Sequence, residues 1–374
     1  MDFSFQAIDY DREGFPETGL PSFPKRSGVY KIFDTRGKLI VLDKSSNLQQ
    51  RMERFYGPRC EMLRDLDLRE ITSRIEFRPS DSTFETLYLL YRERRTLFPK
   101  TYRKMRTFRF FTLLKINGKQ RFPRFYASRQ IKAGVDYFGP FISRGQFARL
   151  KTSLERTFQL RPCLYNIRGN DPHPDCLYFQ MHTCSRPCNN DIDRSSYTED
   201  VRDAIAFIQG QDQEIEDRLA GKMSRLASET RFEEAESLRR RLTKIERARH
   251  ETKDTFHSIW NFNAVVLLAA NSVSQCKAAF VRQGAITAFH EYEVESLQDK
   301  MPEDLAACFA GPLDIESREW QYDEFCLVAN FIVNPLQNAD IILVNPGDDI
   351  PQLVLERIQQ RKRKRKPIHV DTVA

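Results

Sequence analysis

Four cysteines hold the densest chemistry in this sequence of 374 residues. Cys163, Cys176, Cys184 and Cys188 fall within 26 residues, spaced C-x12-C-x7-C-x3-C, in a polar and proline-rich stretch from Arg161 to Asn190. The other four, Cys60, Cys276, Cys308 and Cys326, lie singly on apolar segments. Four thiols so grouped either form disulfides or hold a metal. The N-terminus, M-D-F-S-F-Q-A-I-D-Y-D, lacks the basic-then-apolar pattern of a secretory signal. No apolar run reaches the roughly 20 residues of a membrane span. A cytoplasmic chain is therefore expected, and disulfides are rare there, which favours a metal. Zinc usually takes paired C-x2–4-C knuckles, which only Cys184-S-R-P-Cys188 approaches. Four thiolates also suit an iron–sulfur cubane. His173 and His182 lie in the loop, but four sulfurs already complete a set, so both read as surface or hydrogen-bonded histidines. A loop this polar has little core of its own, so ligation would supply its folding energy.

A second chemistry lies upstream. From Arg92 to Lys132 there are fourteen Lys or Arg and one acid, Glu93, in a chain of net charge +7. Phe98, Tyr102, Phe108, Phe110, Phe111, Phe122, Phe125 and Tyr126 are interleaved with them. Cations neutralise phosphates and aromatic faces stack on bases. Arg103, Lys104, Arg106, Arg109, Arg121 and Arg124 are the candidate nucleic-acid contacts. For any one of them, the alternative is a solvated strand face with core aromatics behind it.

The elements that must carry these groups are legible in outline. The length allows two or three domains, and 40% apolar content is ordinary for a globular chain. Residues 1–24 read as an extended lead-in. G-V-Y-K-I-F-D at 28–34 is a strand, 35–38 a turn and 39–42 its return strand. Ser46 is expected to cap a helix from Asn47 to about Phe55. A third strand at 71–77 precedes a helix from Thr83 that sets Phe84, Leu87, Leu90 and Tyr91 on one face and stops at Pro99. This is a small mixed α/β unit. After the cysteines, the capping box Ser196-Tyr-Thr-Glu199 opens a helix that ends at Gly210. A helix through Ile215, Leu219, Met223 and Leu226 follows. Another, opened by Thr230-Arg-Phe-Glu233, carries Ala235, Leu238, Leu242 and Ile245, and the two form an antiparallel hairpin. Residues 264–294 read as a three-strand meander, with helices near 302–310 and 321–332 and a strand at 341–344. The basic run R-K-R-K-R-K at 361–366 is expected in a solvated tail, with phosphate contact as the alternative.

G-V-Y at 28–30, the K-S-S-N-L-x-x-R run ending at Arg51 and the helix closing in F-P-K-T-Y resemble the GIY-YIG nuclease domain that opens members of the UvrC excinuclease family. F-P-R at 122–124, Y-F-G-P-F at 137–141, the R-P-C…C-L-Y-F-Q…C-S-R-P-C run and F-E-E-A-E-S-L-R-R-R-L at 232–242 resemble the same family in the same order. The likeness covers roughly residues 24–250. It implies an α/β multidomain chain: a lead-in at 1–24, a GIY-YIG-like domain at 25–103, a basic linker and four-cysteine region at 104–195, and a helical region at 196–250 with a UVR motif from about 216. A partial RNase H-like α/β domain at 256–350 and a basic tail at 351–374 complete it.

The resemblance assigns a 4Fe–4S cluster to the four cysteines, with zinc as the alternative. It implies that a UvrB-type helicase docks through Phe232, Ala235, Leu238 and Leu242. In the nuclease domain it places Tyr30, Lys44 and Arg51 at catalytic positions. The second motif is replaced by Val41-Leu42-Asp43, a tyrosine position by Phe55 beside Tyr56, and the metal-binding glutamate by Leu90. The family asparagine falls at Tyr102. Magnesium needs oxygen ligands, and leucine offers none. Glu85 and Glu93 share the helix, with Glu93 about 60° from the direction of Leu90. No converging carboxylates and no tandem helix-hairpin-helix module are found in the last third. The expectation is a component of nucleotide excision repair that binds DNA and a UvrB-type helicase without cutting. The alternatives are an active nuclease using Mg or Mn with a displaced carboxylate, and a redox-sensing nucleic-acid binder.

Overall fold

The structure, a computed structural model, describes residues 3–58, 62, 66–105, 107–167, 176–210, 213–252, 257–268, 274–310, 313, 317–334, 340–345 and 347–365. The chain divides into two compact units. One comprises Met1–Arg109, Asn263–Asp314 and Asn330–Ala374, and the other Phe110–Phe262 and Ile315–Ala329.

The first unit begins with β1 (Gln6–Asp9), a short α1 (Phe15–Thr18), β2 (Gly28–Asp34), β3 (Leu39–Ser45), α2 (Leu48–Tyr56), α3 (Leu68–Ile71), β4 (Thr72–Pro79) and α4 (Thr83–Leu97). Its sheet runs β1-β4-β2-β3, antiparallel throughout. The β2–β3 turn closes because the Asp34 carboxylate accepts from the Arg36 and Lys38 amides and Gly37 takes φ +75°. Asn47, one residue past the expected Ser46, caps α2 by accepting from the Gln50 amide. Ser82 caps α4 in the same way. The expected lead-in is part of this fold. Ile8 pairs with Ile75 at the sheet edge, and Phe15, Leu20 and Phe23 are buried with Tyr30, Met52, Phe55 and Phe77.

Alternation along β2 gives the sheet two faces. Tyr30 and Ile32 join the α2 core, while Val29 joins Leu89 and Leu90 of α4. The C-terminal part of this unit is a second antiparallel sheet, order β11-β10-β9-β12, built from the expected meander β9 (Ala264–Leu268), β10 (Gln275–Arg282) and β11 (Ala285–Glu293) with β12 (Asp340–Leu343). Helix α10 (Leu297–Phe309) follows β11 and α12 (Ile350–Arg365) follows β12, while α11 (Arg318–Val333) falls mostly in the second unit. The segment expected as a tail thus opens as a helix, with Ile350, Val354 and Ile358 buried against the sheet core.

The second unit holds β5 (Thr112–Ile116), β6 (Phe125–Ser128), β7 (Asp136–Phe141), α5 (Arg144–Thr157), a one-turn α6 (Leu177–Gln180), α7 (Arg194–Gln209), α8 (Gln213–Ser228), α9 (Phe232–Thr252) and β8 (His257–Ser258). The sheet order is β6-β5-β7-β8. Leu114, Ile116, Phe125, Phe138, Leu150, Leu154, Phe158, Val201 and Phe207 share one core, and Leu219 and Leu242 of the α8–α9 hairpin pack on it. Of the aromatics of the basic segment, Phe122 and Phe125 belong to this core, and Tyr102 and Phe111 are buried as well. Helix α7 starts two residues before the expected capping box, because Asp193 accepts from the Ser195 and Ser196 amides. It stops at Gly210, where φ is +66°.

Candidate functional site

The four cluster cysteines are free thiols. Their loop is tied to the core by Arg161, which is 3% exposed. Its Nε donates to the Phe122 carbonyl at 2.9 Å, and its Nη1 donates to the Tyr165 carbonyl at 2.7 Å and to Cys163 Sγ at 3.5 Å. Its amide donates to the Tyr197 hydroxyl, which in turn donates to the Pro123 carbonyl. Cys176 is the residue before α6, and its carbonyl accepts from the Phe179 and Gln180 amides. Cys184 is buried and its sulfur accepts from the Arg186 amide at 3.4 Å. Arg186 stands at φ +57° with its guanidinium 4.6 Å from the Phe179 ring centre. Cys188 is buried in the turn Pro187–Asn189. Burial pushes the Cys184 thiol up to about 12, and Cys163, Cys176 and Cys188 raise it further, so each of those three sulfurs lies within electrostatic reach of Cys184. The Tyr165 hydroxyl, raised chiefly by burial, bonds Cys188 and Cys163.

Among the described residues, no three His, Cys, Asp or Glu side chains gather closely enough for one metal ion. A single zinc would draw each sulfur to about 2.3 Å. A cubane gives each thiolate its own iron and takes a wider set. Cys163 and Cys184 each accept an N–H bond, as thiolate ligands would. His173 lies outside the described residues, and His182 is exposed.

In the first unit, Tyr30 is buried and pairs across the hairpin with Asp43. The Arg51 guanidinium lies 5.8 Å from the Phe55 ring centre, and Phe55 lies 6.3 Å edge-on from Tyr30. Burial pushes the Tyr30 hydroxyl up to about 12; Asp43 adds to this and Arg51 opposes it. Tyr30 and Arg51 are thus brought together. Lys44 is not: it pairs with Val29, which puts it on the other face of the strand, exposed. Leu90 is 1% exposed and packs with Val29, Leu89, Leu42, Phe3 and Phe5, a cluster distinct from that of Tyr30. Glu93 is 2.7 Å from Lys31, which also meets Glu76 at 3.3 Å. Glu85 is buried, accepts from the Asp81 amide and lies 3.9 Å from Lys277. Tyr102 is buried, its ring 6.0 Å from Tyr91.

Of the hairpin residues, Phe232 is 63% exposed, Ala235 is half-buried, Leu238 is buried and Leu242 packs on the core of its own unit. The basic residues divide in a similar way. Arg103 is half-buried, and Lys104, Arg109 and Arg121 are exposed. Arg106 lies outside the described residues. Arg124 is 8% exposed, stacks 3.9 Å from the Tyr126 ring centre and donates to the Leu164 carbonyl. Arg161, which the sequence presents only as part of a motif, proves to be the organiser of the cysteine loop. Its position two residues before Cys163 is the one signal that could have found it.

Residues 111–207 match the family model described as UvrC/Cho excinuclease, middle domain. The UvrABC system protein C of Rhizobium johnstonii is 28% identical over 249 residues, 64% of this chain and 36% of that protein. That of Symbiobacterium thermophilum is 26% identical over 336 residues, 87% of this chain and 51% of that protein. That of Rickettsia bellii is 30% identical over 230 residues, 60% of this chain and 35% of that protein. No solved structure matches the chain. The chain spans about a third to a half of the length of these curated relatives. With the middle-domain match lying over the cysteine loop and its core, the chain is similar to the UvrC family.

Proposed function

We propose that this protein is a UvrC-like component of nucleotide excision DNA repair that binds DNA and a UvrB-type helicase and does not itself incise. The observation that carries the non-cutting part is the dry cluster around Leu90. The position of the metal-holding carboxylate is filled by leucine among Val29, Leu89, Leu42, Phe3 and Phe5. Both glutamates of α4 are engaged elsewhere, Glu93 with Lys31 and Glu85 with the Asp81 amide. An oxygen-ligated Mg²⁺ has no first ligand there. The GIY-YIG-like and partial RNase H-like readings of residues 25–103 and 256–350 belong to this proposal, as does cluster binding. Cys163, Cys176, Cys184 and Cys188 would hold a 4Fe–4S cluster, and Arg161 and the Arg186 amide would donate to its sulfur ligands. The cluster would supply ligation energy to a loop with little core.

The alternative, an active endonuclease, draws on one observation: Tyr30 and Arg51 still share a face beside Asp43. Supercoiled plasmid incubated with the purified protein and Mg²⁺ or Mn²⁺ decides between them. The proposal expects no nicked circle. Nicking that disappears in Tyr30→Phe or Arg51→Ala would establish the alternative. Iron and sulfide content with a visible absorption band is expected of the protein isolated without oxygen, whereas a colourless zinc protein would remove the cubane.

A further inference from the structure

The cysteine loop and the α8–α9 hairpin meet at one groove of about 850 Å³. Met181 and His182, both between Cys176 and Cys184, form one wall, and Leu226, Phe232 and Leu238 form the other. Leu238 is buried, while Met181 is 51% and Phe232 63% exposed. Two large apolar side chains facing outward on opposite lips of a groove mark a docking place, and a thioether adapts to what it meets. The rim carries Lys222 and Arg231 along with Glu233 and Glu234, so both signs flank the apolar floor. Arg231 holds the Glu234 carboxyl below its usual range, with a smaller contribution from His182 across the groove. An amphipathic helix, with an apolar stripe bordered by charges of both signs, is the complement of this surface. The volume suits several of its side chains.

What holds the Met181 wall is the second observation. Helix α6 buries none of its residues, and Leu177, Tyr178 and Phe179 are 68%, 44% and 37% exposed. Apart from the cysteines, the wall is held by backbone turns, by the bond from Gln159 Nε2 to the His182 carbonyl, in which His182 stands at φ +51°, by the Thr183 and Ser185 hydroxyls donating to the Tyr178 and Gln159 carbonyls, and by Arg186 over the Phe179 ring. No apolar core positions it. Local polar contacts and one stacked guanidinium hold it, and the ligand positions at its ends, Cys176 and buried Cys184, are where ligation would stiffen it.

We infer that the four-cysteine loop is one wall of the groove in which a helix of the helicase partner docks, so that ligation of the thiols sets the affinity for that partner. This rests on the helicase and cluster readings proposed for the chain and adds to them a coupling between two sites. The sequence motif alone would place docking on Phe232, Ala235, Leu238 and Leu242. The structure commits Leu242 to the chain's own core, keeps Leu238 in the groove lining and adds Met181 to it.

The test is calorimetric titration of the full chain with the UvrB-type helicase of the same organism, with metal content and helical circular dichroism measured on each sample. Phe232→Ala and Met181→Ser are each expected to weaken Kd about tenfold or more with metal content unchanged. Chelator-stripped protein and Cys184→Ser are expected to weaken it as much while the α8–α9 helicity is retained. If Phe232→Ala weakens binding but Met181→Ser and metal removal leave it at the wild-type value, the helicase reading stands and the loop-wall inference falls. If the wild-type chain does not bind the helicase at all, the partner reading falls. A chain that instead sediments as a dimer dispersed by Met181→Ser would make a second copy the occupant and overturn the inference.

Discussion

At Leu90 a carboxylate would have to enter a space already filled by Val29, Leu89, Leu42, Phe3 and Phe5. Burying that charge without a cation costs on the order of 3 kcal/mol or more. Leu90→Glu is therefore expected to lower the urea midpoint sharply and to gain no nicking, because the new group lies in a different cluster from Tyr30 and Arg51. An equally stable variant that nicks plasmid with Mg²⁺ would show that the site had needed only its ligand. The replacement itself is legible in the sequence: the helix period puts Leu90 on an apolar face, and counting from Pro99 puts it at the metal position. What the sequence does not show is which face of the sheet each residue meets. Tyr30 and Lys44 share a motif, but the pairing of Lys44 with Val29 and of Tyr30 with Asp43 sends them to opposite faces. That register is set by the whole hairpin and not by either residue.

Between elements, charges decide two expected outcomes. Lys277 of β10 lies 2.6 Å from Asp81, 3.2 Å from Glu291 and 3.9 Å from Glu85, with its side chain 13% exposed. Burial pulls its pKa down, but Asp81, Glu85 and Glu291 outweigh that, and the net shift is upward. Lys277→Met leaves two buried carboxylates short of a cation, relieved only in part by Arg26 at 2.9 Å from Asp81, and is expected to cost about 3 kcal/mol by denaturant titration. On α7, burial pushes the Asp200 carboxyl up to about 6, with Asp203 and Glu199 raising it and Lys222 and Arg218 opposing. Its folded value lies above the unfolded value of about 3.9, so between the two the native state binds the extra proton. Stability then falls as pH rises from about 4 to about 6. Asp200→Asn is expected to flatten that decline and to add about 1–2 kcal/mol at pH 7, allowing for its partial exposure. Neither network is visible in the sequence, because Asp81 and Lys277 are far apart along the chain. The two ends of the chain escape sequence reasoning for a related reason. Strand β1 is only Gln6–Asp9, and its pairing with β4 is a long-range event. In α12 the apolar spacing of Ile350, Val354 and Ile358 is helical, but the basic run beyond it masks that period. Caps and periodic faces, by contrast, are local, and α2, α4 and the α8–α9 hairpin fall within a few residues of expectation.

For the whole molecule, the net charge of +7 is a statement about phosphate only where the cations face water. Lys104 and Arg109 do so in one unit, and Arg121 does so in the other. Arg124, three residues further on, does not: it is buried, stacked on Tyr126 and bonded to the Leu164 carbonyl beside the cysteine loop. The sequence treats Arg121 and Arg124 alike, since both sit in the same basic and aromatic run, and only packing separates them. If the chain binds DNA through exposed cations, affinity falls with salt in proportion to the phosphates neutralised. Arg121→Ala, Lys104→Ala and Arg109→Ala should each reduce the slope of log K against log salt by about 1 in the folded protein. Arg124→Ala should lower the melting temperature and the metal content and leave the salt slope of the surviving folded protein where it was. Fluorescence anisotropy of a labelled duplex at several salt concentrations, with calorimetry of each variant, measures both. A slope reduced by Arg124→Ala at unchanged stability would place that guanidinium on the DNA, against its packing beside Tyr126. A slope unmoved by the three exposed substitutions would shift nucleic-acid contact away from this segment altogether.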